Sequence, residues 1–209
     1  MELIFATANP HKVGEASQII ATQSISTNRA VTLIMPKELG MVEEIPETGS
    51  TIEENSLIKS RYIWNRLGRD CFADDTALEV DALGGAPGVY SARYAGEGKD
   101  FKANIEKLLS ELKRVQSQSV TPINRTARFR TVISLILDGK VHTFEGVMEG
   151  CIAMEESGTN GFGYDPIFIP QGYNITLAQM SSEEKNAISH RGIAMRKLGE
   201  FLAKLPAAK

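Results

Sequence analysis

Three acidic residues, Glu47, Asp74 and Asp75, are the side chains best suited to metal-dependent chemistry. Asp74 and Asp75 are adjacent and follow the apolar segment 71–73, which predicts a strand that ends where the carboxylates begin. Burying two neighbouring carboxylates is costly unless a cation or hydrogen-bond donors compensate. Oxygen ligands suit Mg²⁺, which usually takes one or two protein carboxylates together with phosphate oxygens and water. Because side chains alternate along a strand, one carboxylate can hold a metal or a water while the other orients the site. An isolated Asp-Asp pair is more often a solvated turn with helix-capping aspartates.

A second candidate site lies near the N-terminus, in the polar segment from Thr7 to Lys12. This segment separates a short apolar run at residues 3–6 from a helical pattern that starts at residue 13. Unpaired N–H groups and the positive end of the helix dipole make such a strand–turn–helix junction a natural anion site. Thr7, Asn9 and Lys12 add side-chain donors for phosphate. An ordinary turn before a helix explains the same segment equally well.

The loop at residues 158–166 contains three glycines within six positions. Glycine permits close backbone approach, and Phe162 stands between two of the glycines, where its ring is well presented for stacking on a flat ligand. Turn chemistry alone accounts for the glycines, but it does not account for the aromatic pair Phe162 and Tyr164.

A fourth candidate site contains the polar donors Lys185, His190 and Arg191, where the last helix is predicted to start. Their N–H groups can donate to carbonyl oxygens on the edge of a base or to phosphate. A solvated helix start is the alternative interpretation of this segment.

The elements that must position these residues follow a mixed α/β pattern. Thr51 with Glu54 indicates a capping box before a helix that reaches about residue 67, and Ser189 is a suitable N-cap for the last helix. A polar loop is predicted from Lys113 to Arg125. Strands are predicted at residues 3–6, 31–35, 71–73, 127–135 and 141–145, with a possible third antiparallel strand at 146–154.

Composition limits the classes of protein to consider. The 209 residues suffice for one α/β domain or two lobes that share a core, and the net charge of −3 argues against a general nucleic-acid binder. Cys71 and Cys151 have no partner at metal-ligand spacing, which predicts buried, reduced thiols. Without a signal peptide or an apolar run of roughly 20 residues, the expectation is a soluble, cytoplasmic protein that does not enter the membrane.

Four sequence blocks, in order, resemble the inosine triphosphate pyrophosphatase family along essentially the whole chain. They are residues 6–12, 47–59 (ETGSTIEENSLIK), 73–96 (ADDTALEVDALGGAPGVYSARYAG) and 158–192, which runs from GTNGFGYDPIF to EEKNAISHRG. The resemblance implies one two-lobed domain over residues 1–209, with an elongated mixed β-sheet, flanking helices and a central cleft. It also implies a homodimer that hydrolyses non-standard purine nucleoside triphosphates, those of inosine, deoxyinosine and xanthosine, to the monophosphate and pyrophosphate.

The same resemblance assigns roles to individual residues. Glu47 and Asp75 would hold Mg²⁺, with Asp74 close by and Asp75 activating the attacking water. Phe162 would stack on the base, and donors such as His190 and Arg191 would recognise the oxygen at position 6 of the purine. The residues implied to bind the substrate are Thr7, Ala8, Asn9, Pro10, His11, Lys12, Lys59, Thr76, Phe162, Gly163, Tyr164, Asp165, Lys185, His190 and Arg191.

Two positions depart from the family pattern. Ala8 replaces a glycine, which is tolerated only if the backbone there has a negative φ. Thr76-Ala77 replaces Ser-Gly, which keeps the hydroxyl and alters the geometry after Asp75. Neither change removes a charged group, so we expect an active enzyme.

Two other functions are alternatives to a purine triphosphate pyrophosphatase. One is a pyrophosphatase for modified pyrimidine triphosphates, against which the set Lys185, His190 and Arg191 argues. The other is a nucleotide-binding module without activity, against which the carboxylates Glu47, Asp74 and Asp75 argue.

Overall fold

The computed structural model describes residues 1–27, 31–43 and 45–205, without the side chains of residues 21–27. Within these residues the strands are β1 (Glu2–Phe5), β2 (Thr32–Ile34), β3 (Cys71–Val80), β4 (Pro87–Gly88), β5 (Thr126–Leu137), β6 (Lys140–Ile152) and β7 (Phe168–Pro170). The α-helices of the same residues are α1 (Pro10–Thr27), α2 (Ile52–Leu67), α3 (Phe101–Ser117), α4 (Ser182–Ile188) and α5 (His190–Ala203).

The strands pair in the order β2-β1-β3-β5-β6-β7, and β4 pairs with β3 off this path. Strand β1 is parallel to both β2 and β3, whereas β4 is antiparallel to β3 and β7 is antiparallel to β6. The predicted mixed sheet of an α/β protein is therefore confirmed.

The chain divides into two compact units. The first comprises the described residues of 1–75, 131–146 and 190–209, and the second comprises residues 76–130 and 147–189. The second unit has its own core, in which α3 contributes Leu108 and Leu112, and the strands contribute Leu78, Phe129 and Phe168.

In the first unit, helices cover both faces of the sheet because side chains alternate along each strand. Leu3 and Phe5 pack with residues of α1 and α5, and the Phe5 ring stacks on Phe72 with centroids 4.4 Å apart. Ile4 faces the opposite way, into a cluster that includes Ile63 of α2. One face of β1 and β3 thus meets α1 and α5, and the other meets α2.

The start of α2 matches the predicted cap with one difference. Thr51 Oγ1 accepts the N–H of Glu54, as expected of an N-cap. The Glu54 carboxylate accepts the N–H and the hydroxyl of Ser50 rather than the N–H of Thr51. The return bond of the capping box therefore lies one residue earlier than predicted.

Four expectations from the sequence are corrected. Asp74 and Asp75 lie inside β3, which continues to Val80, rather than at its end. Helix α3 extends to Ser117, so that residues 113–117 are helical rather than part of the polar loop predicted from Lys113 to Arg125. Strand β6 is continuous to Ile152, so that no separate third strand starts at residue 146. Of the two free cysteines, only Cys71 is buried, whereas Cys151 is partly exposed.

No helix in the described ranges is both long and apolar enough to cross a membrane.

Gly146 tests the packing of α5 on β6. A Cβ at this position would lie 2.0 Å from the carbonyl oxygen of His190 and 2.7 Å from the nitrogen of Ala194. We expect Gly146→Ala to lower the free energy of unfolding by about 1–3 kcal/mol, because backbone must move to make room. Gly14, in α1, has no atom within 4 Å of the added Cβ. Gly14→Ala is therefore the matched control. Its free energy of unfolding, measured by urea denaturation, should rise by about 0.5–1 kcal/mol. An equal gain in both variants would contradict this packing.

Candidate active site

The alternation of β3 separates the two adjacent carboxylates. Asp74 shares a strand face with Phe72, which packs in the cluster with α1 and α5, and Asp75 shares a face with Ala73, which packs in the cluster with α2. Both side chains are buried, Asp74 with 1% and Asp75 with 8% of its surface exposed. Their partners therefore come from different helices.

Asp74 is held by two cations. Its Oδ1 accepts from Lys12 Nζ at 2.9 Å, and its Oδ2 accepts from Arg191 Nε at 3.0 Å. Arg191 also donates through Nη1 to Glu15 of α1. Burial alone would raise the pKa of Asp74, but Lys12, Arg191 and Lys59 together hold that pKa well below its ordinary value. Asp74 is thus a fixed anion that orients its neighbours.

Asp75 shares its partner, Lys59 of α2, with Glu47. Lys59 Nζ donates to Asp75 Oδ1 at 3.0 Å and to Glu47 Oε1 at 2.7 Å. Burial raises the pKa of Asp75 above its ordinary value, and the attraction to Lys59 and Lys12 offsets only part of that rise. The pKa of Lys59 is raised, because Asp75 and Glu47 outweigh the effect of its burial. Of the two adjacent aspartates, Asp75 is therefore the stronger base.

The segment at residues 7–12 forms the turn into α1. Thr7 Oγ1 accepts the N–H of Asn9 at 3.2 Å, and Asn9 Oδ1 accepts the N–H of His11 at 3.0 Å. Ala8, Pro10 and His11 are exposed. Lys12, one turn further, turns toward Asp74, and burial lowers its pKa despite that partner.

In the second unit, the loop from residue 158 surrounds Asp165. The Asp165 Oδ2 accepts the N–H of Phe162 at 2.8 Å and the Nζ of Lys185 at 2.7 Å. The Nζ of Lys185 also lies 4.9 Å from the centroid of the Phe162 ring, which is only partly buried. Gly161 has a φ of 75°, and a Cβ there would lie 2.1 Å from Asp165 Oδ2, so that the loop requires glycine. The loop thus presents Phe162 beside a buried ion pair.

Three further predicted residues, Tyr164, Gly163 and Thr76, belong to the second unit. Tyr164 is buried, and its hydroxyl donates to the carbonyl oxygen of Ser91 at 2.9 Å. Burial raises the pKa of Tyr164, which keeps this hydroxyl a donor. Gly163 has a φ of 64°, and Thr76 follows Asp75 in β3.

His190 is the first residue of α5 and is 5% exposed. Its Nδ1 lies 2.6 Å from the hydroxyl oxygen of Thr131 in β5, a contact inside the first unit. His190 and Arg191 lie in the first unit and Lys185 lies in the second, so that the three predicted donors do not form one cluster within either unit. The roles in base recognition predicted for them stay predictions.

The carboxylates of the first unit are chemically suited to Mg²⁺. Glu47 and Asp75 direct one oxygen each at the same ammonium group, which shows that both can address a single cation, and oxygen is the ligand type that Mg²⁺ prefers. In the described part of the chain no group of three or more His, Cys, Asp or Glu residues could hold a metal ion. Two protein carboxylates are the usual complement for a magnesium ion that also binds phosphate and water.

Sequence reasoning missed Glu15 and Thr131. Glu15 follows Lys12 by three residues, which places both on one face of α1, and this spacing is the only sequence signal for it. Thr131 lies at one of the alternating positions of a predicted strand. This pattern predicts that its side chain is buried but gives no indication of a contact with His190.

The departure at Ala8 has a simple structural answer. Among the described residues other than glycine, only Lys99 and Asp138 have a positive φ, so Ala8 does not need the freedom of glycine. Ala77 is a buried residue of β3, 2% exposed.

Comparisons with known proteins cover nearly the whole chain. The sequence model described as the Ham1 family matches residues 3–201. A dITP/XTP pyrophosphatase of Christiangramia forsetii is 50% identical over 204 residues, which are 98% of this chain and 100% of that protein. A dITP/XTP pyrophosphatase of Bacillus subtilis is 46% identical over 96% of both chains. Among solved structures, a Ham1 protein of Coxiella burnetii has a TM-score of 0.86 and 37% identity, covering 98% of this chain and 100% of that one.

The two aspartates should respond in opposite ways to the same substitution. At pH 7, Asp74→Asn leaves Lys12 and Arg191 buried beside a neutral group and should cost about 3–5 kcal/mol of unfolding free energy. Asp75→Asn should be neutral or stabilising, because the raised pKa of Asp75 means that its charge is unfavourable in the folded state. Urea denaturation measures both differences.

The pH dependence supplies the control for this pair. The ionised Asp74 contributes fully to the free energy of unfolding above its unfolded pKa of about 3.9. This contribution is lost as the pH falls through the lowered pKa of Asp74 in the folded state. For Asp75 the pH dependence has the opposite sign. As the pH falls, Asp75 takes up a proton in the folded state before it does so in the unfolded state, because its folded pKa is raised. The unfolding free energy of the wild type therefore rises relative to that of Asp75→Asn as the pH falls through this pKa. Equal losses in both variants at every pH would contradict the assignment.

Proposed function

The chain belongs to the Ham1 family, and we propose that it hydrolyses non-standard purine nucleoside triphosphates to the monophosphate and pyrophosphate. Relatives that are 46–50% identical over almost their full length carry the name dITP/XTP pyrophosphatase. These matches confirm both the family that the four sequence blocks predicted and the reaction expected of it. The observation in the structure that supports the reaction most directly is the buried pair Asp74 and Asp75, opposed by Lys12, Lys59 and Arg191.

We assign to Asp75 the role of general base. In the reaction a water oxygen forms a bond to phosphorus, the bond between the α- and β-phosphoryl groups breaks, and pyrophosphate leaves. The water must lose a proton, and a carboxylate at the site is the side chain suited to orient that water and accept the proton. Lys59 donates to Asp75 Oδ1 and orients the carboxylate.

Lys12 and Lys59 are assigned to the phosphates. Charge spreads over the phosphoryl oxygens in the transition state, and cations held in place by a protein stabilise it without reorganisation. Lys12 is fixed by Asp74, and Asp74 is fixed in turn by Arg191 and Glu15. This series of ion pairs prevents the ammonium of Lys12 from moving away from the turn at residues 7–12.

The dependence on Mg²⁺ is part of this proposal. Glu47 and Asp75 would hold the ion, and when bound it would supply positive charge to the phosphoryl oxygens. The pairing of both carboxylates with Lys59 supports this assignment, because their oxygens already converge on one cation.

The base is assigned to the loop around Phe162. Its partly exposed ring, steadied by the contact of its N–H with Asp165, is suited to stacking on a purine. Inosine and xanthosine carry an oxygen at position 6, where adenosine has an amino group. A side-chain donor that faces this position would pair with the oxygen and would be left unpaired by the amino group.

A homodimer and a cytoplasmic location, both implied by the family resemblance, remain parts of this proposal. Analytical ultracentrifugation tests the first, and cell fractionation tests the second.

The function is tested by assaying pyrophosphate release from inosine, xanthosine, guanosine, adenosine and thymidine triphosphates, with Mg²⁺ and with EDTA. We expect fast turnover of the first two alone, and only with Mg²⁺. Release of orthophosphate in place of pyrophosphate, or turnover of the pyrimidine alone, would refute the proposal. Asp75→Asn serves as the matched variant and should abolish turnover while inosine triphosphate still binds.

Phe162→Ala tests the position of the base. Loss of one stacking contact costs about 1–3 kcal/mol in nucleic-acid complexes, which corresponds to an increase of KM for inosine triphosphate on the order of 5- to 150-fold. Tyr173 is an exposed aromatic residue of the same unit and provides the control variant Tyr173→Ala, whose KM should not change. An unchanged KM in Phe162→Ala would place the base elsewhere.

A further inference from the structure

The buried face of α2 is polar in its middle. Its inward-facing residues are Ile52, Asn55, Ser56, Lys59, Ser60 and Ile63. Ser56 is bonded to Ser134 at 2.7 Å, Ser60 donates to the carbonyl oxygen of Leu57, and Lys59 is paired as described above. Within the described residues, Asn55 Nδ2 is the one buried side-chain nitrogen or oxygen without a hydrogen-bond partner.

The orientation of this amide is fixed by its oxygen. Asn55 has no exposed surface, and its Oδ1 accepts the N–H of Gly49 at 2.8 Å. If the oxygen and nitrogen of the amide were exchanged, the NH₂ group would face the N–H of Gly49 and two donors would meet. The group without a hydrogen-bond partner is therefore the NH₂ group. A buried donor without an acceptor is expensive, so this NH₂ group calls for an acceptor that the described side chains and backbone do not supply.

The surroundings of Asn55 are those of the phosphate and metal residues. Side chains on a helix tilt toward its N-terminus, so the long side chain of Lys59 runs back over the turn that carries Asn55. The Nζ of Lys59 contacts both Glu47 and Asp75. On the other side, Gly49 lies two residues after Glu47, and a Cβ on Gly49 would be 2.8 Å from Asn55 Oδ1. The amide is therefore packed directly against the segment that carries Glu47.

We propose that Asn55 binds the substrate, its Oδ1 holding the Glu47 segment while its Nδ2 donates to an oxygen of the phosphate chain. This inference rests on the proposed function, because it takes the phosphates to lie at Lys59. A phosphate oxygen has several lone pairs and can accept from the amide in addition to an ammonium group. The amide adds a donor without adding a further buried charge to a site that already contains several.

Asn55→Asp keeps an acceptor for the N–H of Gly49 and removes the N–H donor, but its carboxylate also repels phosphate. Asn55→Leu, which removes the donor without adding a charge, is therefore measured beside it. Binding of pyrophosphate in MgCl₂ is measured by calorimetry and by the increase in Tm that it causes. We expect the Kd for pyrophosphate to rise at least about tenfold, the loss expected for one hydrogen bond to a charged group. Wild-type affinity in either variant would overturn the proposal.

Asn104 provides the matched control. It is as buried as Asn55, but its Oδ1 accepts from the N–H of Ala95 at 2.6 Å and its Nδ2 donates to the carbonyl oxygen of Ala92 at 3.1 Å. Asn104→Asp should lower the Tm because it breaks a satisfied contact, and it should leave the Kd for pyrophosphate within about twofold. A similar loss of affinity in both variants would mean that Asn55 has only a structural role.

A measurement on the wild-type protein avoids dependence on a variant that fails to fold. The side-chain amide protons of Asn55, observed by NMR, should shift downfield and exchange more slowly with solvent when pyrophosphate is added. Unchanged amide signals at saturating pyrophosphate would refute the inference. If wild type hydrolyses inosine triphosphate but these signals and the Kd of Asn55→Asp do not respond, the inference fails and the proposed function stands. If wild type neither binds pyrophosphate nor hydrolyses the nucleotide, both fail.

Discussion

The alternation of side chains along β3 is the constraint on which the site depends. Two carboxylates that are adjacent in sequence must point to opposite faces of the sheet. In the first unit those faces are covered by different helices, so that Asp74 meets Lys12 and Arg191 while Asp75 meets Lys59. If the two aspartates were separated by one residue, they would share a face and compete for the same cations. Because the two aspartates are adjacent, the charge of Asp74 is compensated by two cations, whereas the charge of Asp75 remains unfavourable.

Burial makes this division of roles effective. In water, ion pairs of this kind contribute little, whereas in a site with few water contacts each charge requires a partner. Asp74 is paired with Lys12 and Arg191, Arg191 is also paired with Glu15, and the pKa values of Asp74 and Arg191 are both shifted toward the charged form. Asp75 shares the ammonium group of Lys59 with Glu47, and its pKa is shifted toward the neutral form. The same burial that requires cations around Asp74 leaves the charge of Asp75 unfavourable until a further cation or a proton compensates it.

Much of this organisation could be predicted from local sequence patterns, and the part that could not has identifiable causes. Alternation in a strand and the N-cap at Thr51 are local rules, and both hold. The length of β3 was underestimated because aspartate is unfavourable in strands, and here tertiary ion pairs override that preference. Strand β6 was divided at Gly146, but glycine at that position allows the close approach of α5 rather than ending the strand. The bond from Arg191 to Asp74 spans 117 residues, and no periodicity within a single sequence indicates such a contact.

The distribution of satisfied and unsatisfied groups separates framework from function. Asp74, Asp165 and Asn104 are buried polar side chains that form hydrogen bonds within the protein, and each fixes a turn or another side chain. Asp75 and Asn55 are buried as well, but Asp75 carries a charge that its surroundings disfavour and Asn55 carries a donor without an acceptor. Both of these unfavourable features belong to residues close to the cationic side chain of Lys59. Such costs persist in a folded protein only if the rest of the structure supplies the stability to carry them. A phosphate chain would accept from the amide, and the reaction would give the carboxylate its proton, so the substrate itself would compensate for both.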